Sequence, residues 1–344
     1  MKAALKETRS KGITVKDVPV PGIREDEVLV KVEKGAICGT DIHLYHWNAW
    51  CENVNAKNPM VIGHEYAGRV VEVGKGIKSL KVGDLVAAET HIPCGTCMMC
   101  RTGNEHICQN MKIIGVHTDG AFAEYTVLPE ACAWKLPGDL DPAIGAVYEP
   151  FGIAVHGVTK DLVAGVPTIV TGCGPIGLFA VGVARASGAS KVFAVDIKDS
   201  RLDLAGRMGA DHVINSSKTD PVEFILDHTK GLGAGALIEL SGNGAALRAG
   251  LKSLRKGGWV ALIGLFRDEV PLDLVNGVIY KEATLYGLTG REMYRSWYLA
   301  EEFLASGKVD VRPVITHSFP LDKVEDAILL AESGEAGKII IDIK

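Results

Sequence analysis

The segment 167–196 constrains the fold more than any other part of this chain of 344 residues. A β-branched run, 168–171, leads into a glycine-rich turn, 172–177, and then into an apolar stretch that continues to Ser187. A second β-rich run follows and ends at Asp196. The order of strand, glycine turn, helix, strand and acid is typical of a dinucleotide-binding βαβ unit, in which the pyrophosphate lies at the helix N-terminus. An ordinary glycine turn is the alternative, because a glycine pattern alone is weak evidence.

Each glycine of this fingerprint, and the acid that follows the turn, would have a structural role in binding a dinucleotide. Gly172 permits the tight turn, Gly174 lets the backbone approach the pyrophosphate, and Gly177 lets helix and strand pack closely. Asp196 stands where a carboxylate accepts hydrogen bonds from the ribose hydroxyls and repels a 2'-phosphate, so we predict NAD rather than NADP. Arg201 is either a solvated helix residue or a contact to the adenine or ribose. We expect six further residues to contact the dinucleotide: Ile176, Ile263, Gly264, Leu265, Leu288 and Thr289.

The length predicts two domains, since single hydrophobic cores stop growing at roughly 250–300 residues. From 201 to 287 predicted helices and strands alternate, which favours an α/β fold with a doubly wound parallel sheet. These predictions include a strand at 212–215, a helix at 245–254 and a strand at 259–264. The first 150 residues instead contain short alternating β runs separated by Gly, Pro and Asp, and they predict a β-rich domain. We expect the tail to return to that domain. The predicted organisation is an NAD-binding Rossmann domain at 156–290 and a β-rich catalytic domain at 1–155 and 291–344, with the active site in the cleft between them.

Four of the eight cysteines fall within fifteen residues, at the spacing C-x2-C-x2-C-x7-C. This spacing lets one loop turn four thiolates toward a single tetrahedral zinc ion. Such a closed site leaves no coordination position open, so the zinc would be structural and would hold together a lobe at 90–112 that has little core of its own. An iron-sulfur cluster and unligated thiols are the alternatives. The predicted ligands are Cys94, Cys97, Cys100 and Cys108.

A second, dispersed cluster has the composition of a catalytic zinc site. Cys38, His64 and Glu65 supply a thiolate, an imidazole and a carboxylate, and Glu149 is a further acid. Three protein ligands are the number that a catalytic zinc uses while it keeps a fourth position for water or substrate. Taken singly each residue is a weak signal, because a lone Cys is more often a small buried hydrophobe.

The charge balance favours small-molecule chemistry. Against 37 Lys and Arg stand 42 Asp and Glu, so no global positive field exists to hold nucleic acid or an anionic membrane. The lobe has no basic patch either, since its region contains only Arg101 and Lys112 as bases. The uncharged stretch 162–184 contains five Gly and two Pro, and it fits a buried strand entering a helix better than a membrane span. The N-terminus shows no secretory signal, and we expect a cytoplasmic protein.

The combination of Cys38, the Gly63-His64-Glu65 segment, the four-Cys lobe and the following dinucleotide fold resembles the zinc-dependent medium-chain alcohol dehydrogenase family over essentially the whole chain. That resemblance implies a GroES-like catalytic domain, a homotetramer, and one catalytic and one structural zinc per chain. It also implies that Cys38, His64 and Glu65 hold the catalytic zinc, and that Glu149 contacts it through water or exchanges with a ligand.

A proton relay through Thr40 and His43 is implied as well. Residue chemistry supports the relay, because a hydroxyl and an imidazole make a path by which an alcohol proton can reach solvent. A structural histidine in a turn is the alternative for His43.

Within the family, several segments are similar to the members that oxidise the secondary hydroxyl of L-threonine to 2-amino-3-oxobutanoate. An amino-acid substrate needs a carboxylate partner, and Arg291 is the candidate, with a structural salt bridge as the alternative. His91 is an active-site candidate on resemblance alone. Ile153 stands where those members usually have Asn, which favours the nearest rival, a polyol dehydrogenase. A non-catalytic NAD-binding regulatory protein is the distant rival. The similar segments are 37–50, 89–92, 290–293, 297–298 and 315–317.

Overall fold

The computed structural model describes residues 1–343. Its helices and strands are numbered in chain order. The strands are β1 (Lys2–Lys6), β2 (Thr14–Asp17), β3 (Glu27–Ala36), β4 (Met60–Val61), β5 (Glu65–Val73), β6 (Leu85–Ala88), β7 (His91–Ile92), β8 (Lys112–Ile113), β9 (Tyr125–Pro129), β10 (Ala133–Lys135), β11 (Pro167–Thr171), β12 (Lys191–Asp196), β13 (His212–Asn215), β14 (Ala234–Glu239), β15 (Leu254–Leu262), β16 (Thr284–Gly287), β17 (Ile315–Pro320) and β18 (Lys338–Asp342). The helices are α1 (Gly39–His46), α2 (Ala49–Asn53), α3 (Met98–Arg101), α4 (Pro142–Ala146), α5 (Tyr148–Val158), α6 (Pro175–Ala186), α7 (Asp199–Arg207), α8 (Pro221–His228), α9 (Gly244–Ser253), α10 (Arg295–Ala305) and α11 (Val324–Ser333).

The chain divides into two compact units, Met1–Glu149 together with the segment that begins at Ile315, and Pro150–Val314. The first unit is built on a sheet in the order β10-β6-β5-β3-β18-β17, with β9 also paired to β3. The valines of β3 stand at every second position, 28, 30 and 32, and they pack into a core with β5, α1 and α11. A small sheet of β2, β1 and β4 lies in the same unit.

The second unit contains a six-stranded parallel sheet in the order β13-β12-β11-β14-β15-β16. Its central strands are buried along nearly their whole length, as expected for a parallel sheet covered by helices on both faces. This confirms the predicted doubly wound α/β class. The strand order reverses between β11 and β14, and in open sheets of this kind ligands bind outside the carboxyl ends of the strands at that point.

The segment 291–314 differs from its predicted place, because it lies in the second unit and not in the β-rich one. Trp297 of α10 is fully buried, and Val309 packs beside Gly182 of α6. Burying these apolar side chains against the helices of the parallel sheet holds the segment there. The chain returns to the first unit at β17.

The uncharged stretch 162–184 forms β11 and most of α6, as the sequence predicted. Over residues 1–343, no helix has both the length and the apolar character needed to span a lipid bilayer.

Candidate active site

The four predicted lobe cysteines converge between β7 and β8. All four Sγ atoms lie within 4.8 Å of one another, and Sγ of Cys97 is 3.5 Å from that of Cys100 and 3.8 Å from that of Cys108. Four sulfurs at about 2.3 Å from one tetrahedral ion would be separated by roughly 3.8 Å, so the spacing fits zinc. Hydrogen bonds, the largest from the backbone of Thr96, lower the pKa of Cys94 to about 5, which makes it a thiolate at neutral pH.

The second cluster assembles through strand register. Cys38 lies two residues after the end of β3 and directly before α1. Glu65 is the first residue of β5 and pairs with Ala36, the last residue of β3. Ligand atoms of Cys38, His64 and Glu65 therefore lie within 4.8 Å of one another. Nδ1 of His64 is buried and has no hydrogen-bond partner among residues 1–343. A thiol, an imidazole and a carboxylate at this spacing form a donor set that zinc prefers.

Lys338, which the sequence reasoning missed, reaches this cluster from β18. Its Nζ donates to both carboxylate oxygens of Glu65 and to the carbonyl of Ile37 at 2.9 Å, and the side chain is only 3% exposed. Burial by itself would lower the pKa of Lys338, but the nearby Glu65 and Cys38 raise it overall, so the lysine stays charged. The only signal in the sequence is a single charge at the start of the apolar run 338–343.

The electrostatics of the cluster favour a divalent cation. Burial raises the pKa of the Cys38 thiol, and it also raises the pKa of the Glu65 carboxyl group. Glu149 and Asp41 add two further acidic groups, so four acidic groups interact with the charge of Lys338. An ion of charge +2 at this point would stabilise the thiolate and carboxylate forms together.

Glu149 and His91 are both anchored by neighbouring polar side chains of the first unit. The hydroxyl of Thr90 donates to Oε1 of Glu149 at 3.2 Å. Oε1 of the fully buried Glu89 accepts from the backbone N–H of His91 at 3.0 Å and lies 3.1 Å from its Nδ1. Glu89 was not predicted as a site residue, although it stands two positions before His91.

The two predicted relay residues lie on α1. Thr40 is the second residue of the helix, and its Oγ1 is 3.8 Å from Sγ of Cys38. Nδ1 of His43 lies 2.6 Å from Nδ2 of Asn48, and the His43 ring stacks on Trp50 with centroids 5.4 Å apart. Neither Asn48 nor Trp50 was predicted as a site residue.

The glycine turn has the geometry that the fingerprint predicted. Gly172 has a positive φ of 84°, which glycine adopts without strain. A Cβ on Gly177 would lie 2.9 Å from the carbonyl carbon of Gly172 and closer still to its oxygen, so only glycine fits there. A Cβ on Gly174, the N-cap of α6, would meet nothing within 4 Å, which leaves the backbone open to a ligand.

Asp196 ends β12 and braces the glycine turn. Its Oδ2 accepts from the backbone N–H of Cys173 at 2.7 Å, and Oδ1 accepts from the N–H groups of Ile197 and Lys198. Nη1 of Arg201 lies 3.7 Å from Oδ2. The carboxylate thus sits beside the turn, where the ribose contact was predicted.

The other predicted dinucleotide contacts lie at or near the same edge of the sheet. Ile176 is the second residue of α6, the triplet 263–265 follows β15, and the pair 288–289 follows β16. The backbone N–H groups of Ile263 and Gly264 both donate to the carbonyl of Glu239, at the end of β14. Leu265 is 81% exposed. Their contacts to a dinucleotide stay predictions.

Arg291 does not have the accessibility that a substrate-binding guanidinium needs. It is 0% exposed, and a Cβ on Gly152 of α5 would lie 2.8 Å from its Cδ. A carboxylate could grip the guanidinium only after the surrounding residues moved. The burial therefore favours the structural alternative.

Residues 24–138 match the alcohol dehydrogenase GroES-like domain, and residues 175–306 match the family of zinc-binding dehydrogenases. A Bacillus velezensis protein described as L-threonine 3-dehydrogenase is 46% identical over 342 residues, which cover 99% of this chain and 98% of that protein.

Two solved structures have the same fold over their whole length. A zinc-binding dehydrogenase from Sinorhizobium meliloti 1021, bound to NADP, superposes with a TM-score of 0.92 at 30% identity and covers 99% of this chain and 98% of its own. An alcohol dehydrogenase from Escherichia coli CFT073, complexed with NADH, superposes with a TM-score of 0.89 at 29% identity and covers 99% of each chain.

Proposed function

This chain belongs to the zinc-dependent medium-chain alcohol dehydrogenase family, and from that premise we propose that it oxidises the secondary hydroxyl of L-threonine to 2-amino-3-oxobutanoate, with hydride transfer to NAD. The observation that carries the proposal is the convergence of Cys38, His64 and Glu65 in a chain 46% identical to a relative with that activity in its name.

The chain's own residues divide the work of the reaction. Cys38, His64 and Glu65 would hold zinc, whose Lewis acidity makes an alcohol easier to deprotonate at neutral pH. Lys338 fixes Glu65 by donating to both carboxylate oxygens. The hydroxyl of Thr40 accepts the alcohol proton and passes its own toward His43, which releases a proton to solvent.

The glycine turn and Asp196 would bind the dinucleotide. The pyrophosphate would lie against the backbone at Gly174 and the N-terminus of α6, which no side chain caps. The two solved relatives bind NADP and NADH, so they do not decide between the cofactors. Asp196 favours NAD, because its buried carboxylate would repel a 2'-phosphate.

A substrate panel tests the proposal most directly. NAD reduction would be measured with L-threonine, D-threonine, sorbitol and short secondary alcohols, with Cys38→Ser as the inactive control. We expect the highest kcat/KM for L-threonine. Ile153 is the observation that favours the polyol alternative, and sorbitol turnover far above that of L-threonine would establish it in place of threonine oxidation.

Metal content distinguishes the enzyme from a non-catalytic NAD-binding protein. We expect two zinc ions per chain, one held by the four-cysteine lobe and one by the Cys38 cluster. A single zinc that Cys38→Ser leaves in place would indicate a structural metal alone.

Assembly and location complete the proposal. We propose a homotetramer in the cytoplasm, a reducing compartment that keeps the lobe thiols available for zinc. Strand β16 is an edge of the parallel sheet, and the preceding segment exposes Leu274, Ile279 and Tyr280. An exposed edge beside apolar side chains is a surface that a second copy can cover. Light scattering of the purified protein measures its oligomeric state, and a monomer would contradict the proposed homotetramer.

A further inference from the structure

The side-chain amide of Asn48 has only one orientation that satisfies its surroundings. Asn48 is the N-cap of α2, and its Oδ1 accepts from the backbone N–H of Trp50 at 3.1 Å. Exchanging the amide oxygen and nitrogen would set an NH2 group against that N–H. The oxygen therefore faces Trp50, and Nδ2 faces His43 at 2.6 Å.

This orientation determines the role of one ring nitrogen. Nδ2 of Asn48 can only donate, so Nδ1 of His43 must accept, and a neutral imidazole that accepts at Nδ1 carries its proton on Nε2. We propose that Asn48 is a positioning residue that keeps Nδ1 of His43 unprotonated and its proton on Nε2. The consequence for catalysis rests on the proposed function, in which His43 is part of the proton relay.

The surrounding contacts hold the ring in this position. Trp50 stacks on the imidazole with an interplanar angle of 26°, which opposes rotation of the ring. The thiol of Cys51 donates to the carbonyl of His43 at 3.3 Å and ties α2 to α1. Trp50 thus contacts the ring directly, and Cys51 holds the backbone that carries it.

The charged groups on the helices around His43 have partners of their own. Asp41 of α1 accepts from the backbone N–H of Cys38, and Glu52 of α2 accepts from Nε1 of Trp47 and pairs with Arg9. On α11, Glu325 accepts from the Tyr45 hydroxyl, and Glu332 bonds to His46. A neutral amide, that of Asn48, lies within hydrogen-bond distance of Nδ1 of His43.

Protonation of His43 would cost the ring this hydrogen bond. An imidazolium has N–H groups at both nitrogens, so its Nδ1–H would oppose the N–H of the Asn48 amide. Asn48 therefore disfavours the charged ring relative to the neutral one. Because Nε2 already carries a proton, a proton from the relay can add only at Nδ1, where it must displace the Asn48 N–H. Loss of that proton to solvent restores both the hydrogen bond and the Nε2–H form.

Two substitutions separate this role from helix capping. Asn48→Asp keeps an acceptor for the Trp50 N–H but places a carboxylate oxygen opposite Nδ1, which reverses the preference and stabilises the imidazolium. Asn48→Ser also keeps a good N-cap, but its short side chain does not reach the ring. Both variants should fold with nearly unchanged melting temperatures.

The first readout is the pH dependence of kcat/KM for L-threonine in the holoenzyme. We expect Asn48→Asp to move the acidic limb upward by about one pH unit, since a new opposite charge shifts such a group by roughly 1–3 units and this site is partly exposed. Asn48→Ser should move it by clearly less. Equal shifts in both variants, or none in either, would overturn the proposal.

The second readout needs no activity. Neutron diffraction from the deuterated, zinc- and NAD-loaded wild-type protein near pH 8 should show deuterium on Nε2 of His43 and none on Nδ1. Deuterium on Nδ1 would overturn the proposal even if L-threonine is the substrate. If the protein does not oxidise L-threonine but the deuterium lies on Nε2, the proposed function fails and the role of Asn48 stands.

Discussion

Replacing Gly177 with alanine should damage the second unit, although the same change usually stabilises a helix. Gly177 is the third residue of α6, and its new Cβ would lie 2.9 Å from the carbonyl carbon of Gly172 and closer to the oxygen. Both obstructing atoms are backbone, so no side-chain rotation relieves the overlap. The start of α6 must move instead.

The magnitude follows from two opposing terms. Overpacking costs about 1–3 kcal/mol, and exchanging glycine for alanine inside a helix returns roughly 0.5–1 kcal/mol. We expect a net loss of about 1–2 kcal/mol in the free energy of unfolding of the second unit. NADH should also bind at least about tenfold more weakly, because displacement of a helix N-terminus by a fraction of an ångström disturbs the pyrophosphate site.

Gly206→Ala is the matched control. Gly206 lies in α7, and a Cβ there would meet nothing within 4 Å, so only the helix-propensity gain of about 0.5–1 kcal/mol remains. Calorimetry and urea denaturation of the two variants, with and without NADH, make the comparison. If Gly177→Ala were as stable as Gly206→Ala and bound NADH normally, the packing argument would be refuted.

Three further predictions concern the metals, the cofactor and pH. Cys97→Ser should release one zinc ion and lower the melting temperature, whereas Cys38→Ser should abolish turnover and leave the fold intact. Equal losses of melting temperature in the two variants would show that the structural and catalytic sites are not separate. Asp196→Ala should lower the ratio of kcat/KM with NAD to kcat/KM with NADP, and an unchanged ratio would contradict a contact between Asp196 and the ribose. Burial, followed by the neighbouring His228, lowers the pKa of His212 in the folded chain below its usual value of 6.5. The stability that depends on a neutral His212 is therefore complete above pH 6.5, and it is lost as the pH falls toward the pKa of the folded state. A melting curve for His212→Phe should accordingly lose less between about pH 7 and pH 5 than the wild type, and parallel losses would contradict this.

The parallel sheet was readily predicted because its strands are apolar runs between glycine-rich turns. The predicted strand at 212–215 has the observed bounds, and the helix predicted at 245–254 is displaced by one residue. Strand β15 begins at Leu254, five residues before its predicted start, since Lys256 and two glycines interrupt the apolar pattern. The local sequence pattern was sufficient to place a strand or helix wherever its buried residues form a continuous apolar run.

Site residues could be predicted only where the residue type and its spacing in the sequence already indicate a function. Cysteines at metal spacing and glycines before a helix are informative alone, and the structure places them as expected. Lys338 and Asn48 are informative only through their partners, which depend on strand register and on one amide orientation. Arg291 was chosen for its charge, and the sequence could not reveal its complete burial.

The partnership between Lys338 and Glu65 imposes an order on the maturation of the enzyme. The ribosome makes Glu65 early, then the whole of 150–314, and only afterwards β18, which inserts beside β3 and delivers the lysine. Nascent chains fold from the N-terminus as they emerge, so the second unit can fold while the first still waits for its last strands. Until β18 pairs with β3, Glu65 lacks the lysine that contacts it in the finished fold, so we expect the completed chain to hold the cluster in place for metal better than a nascent one.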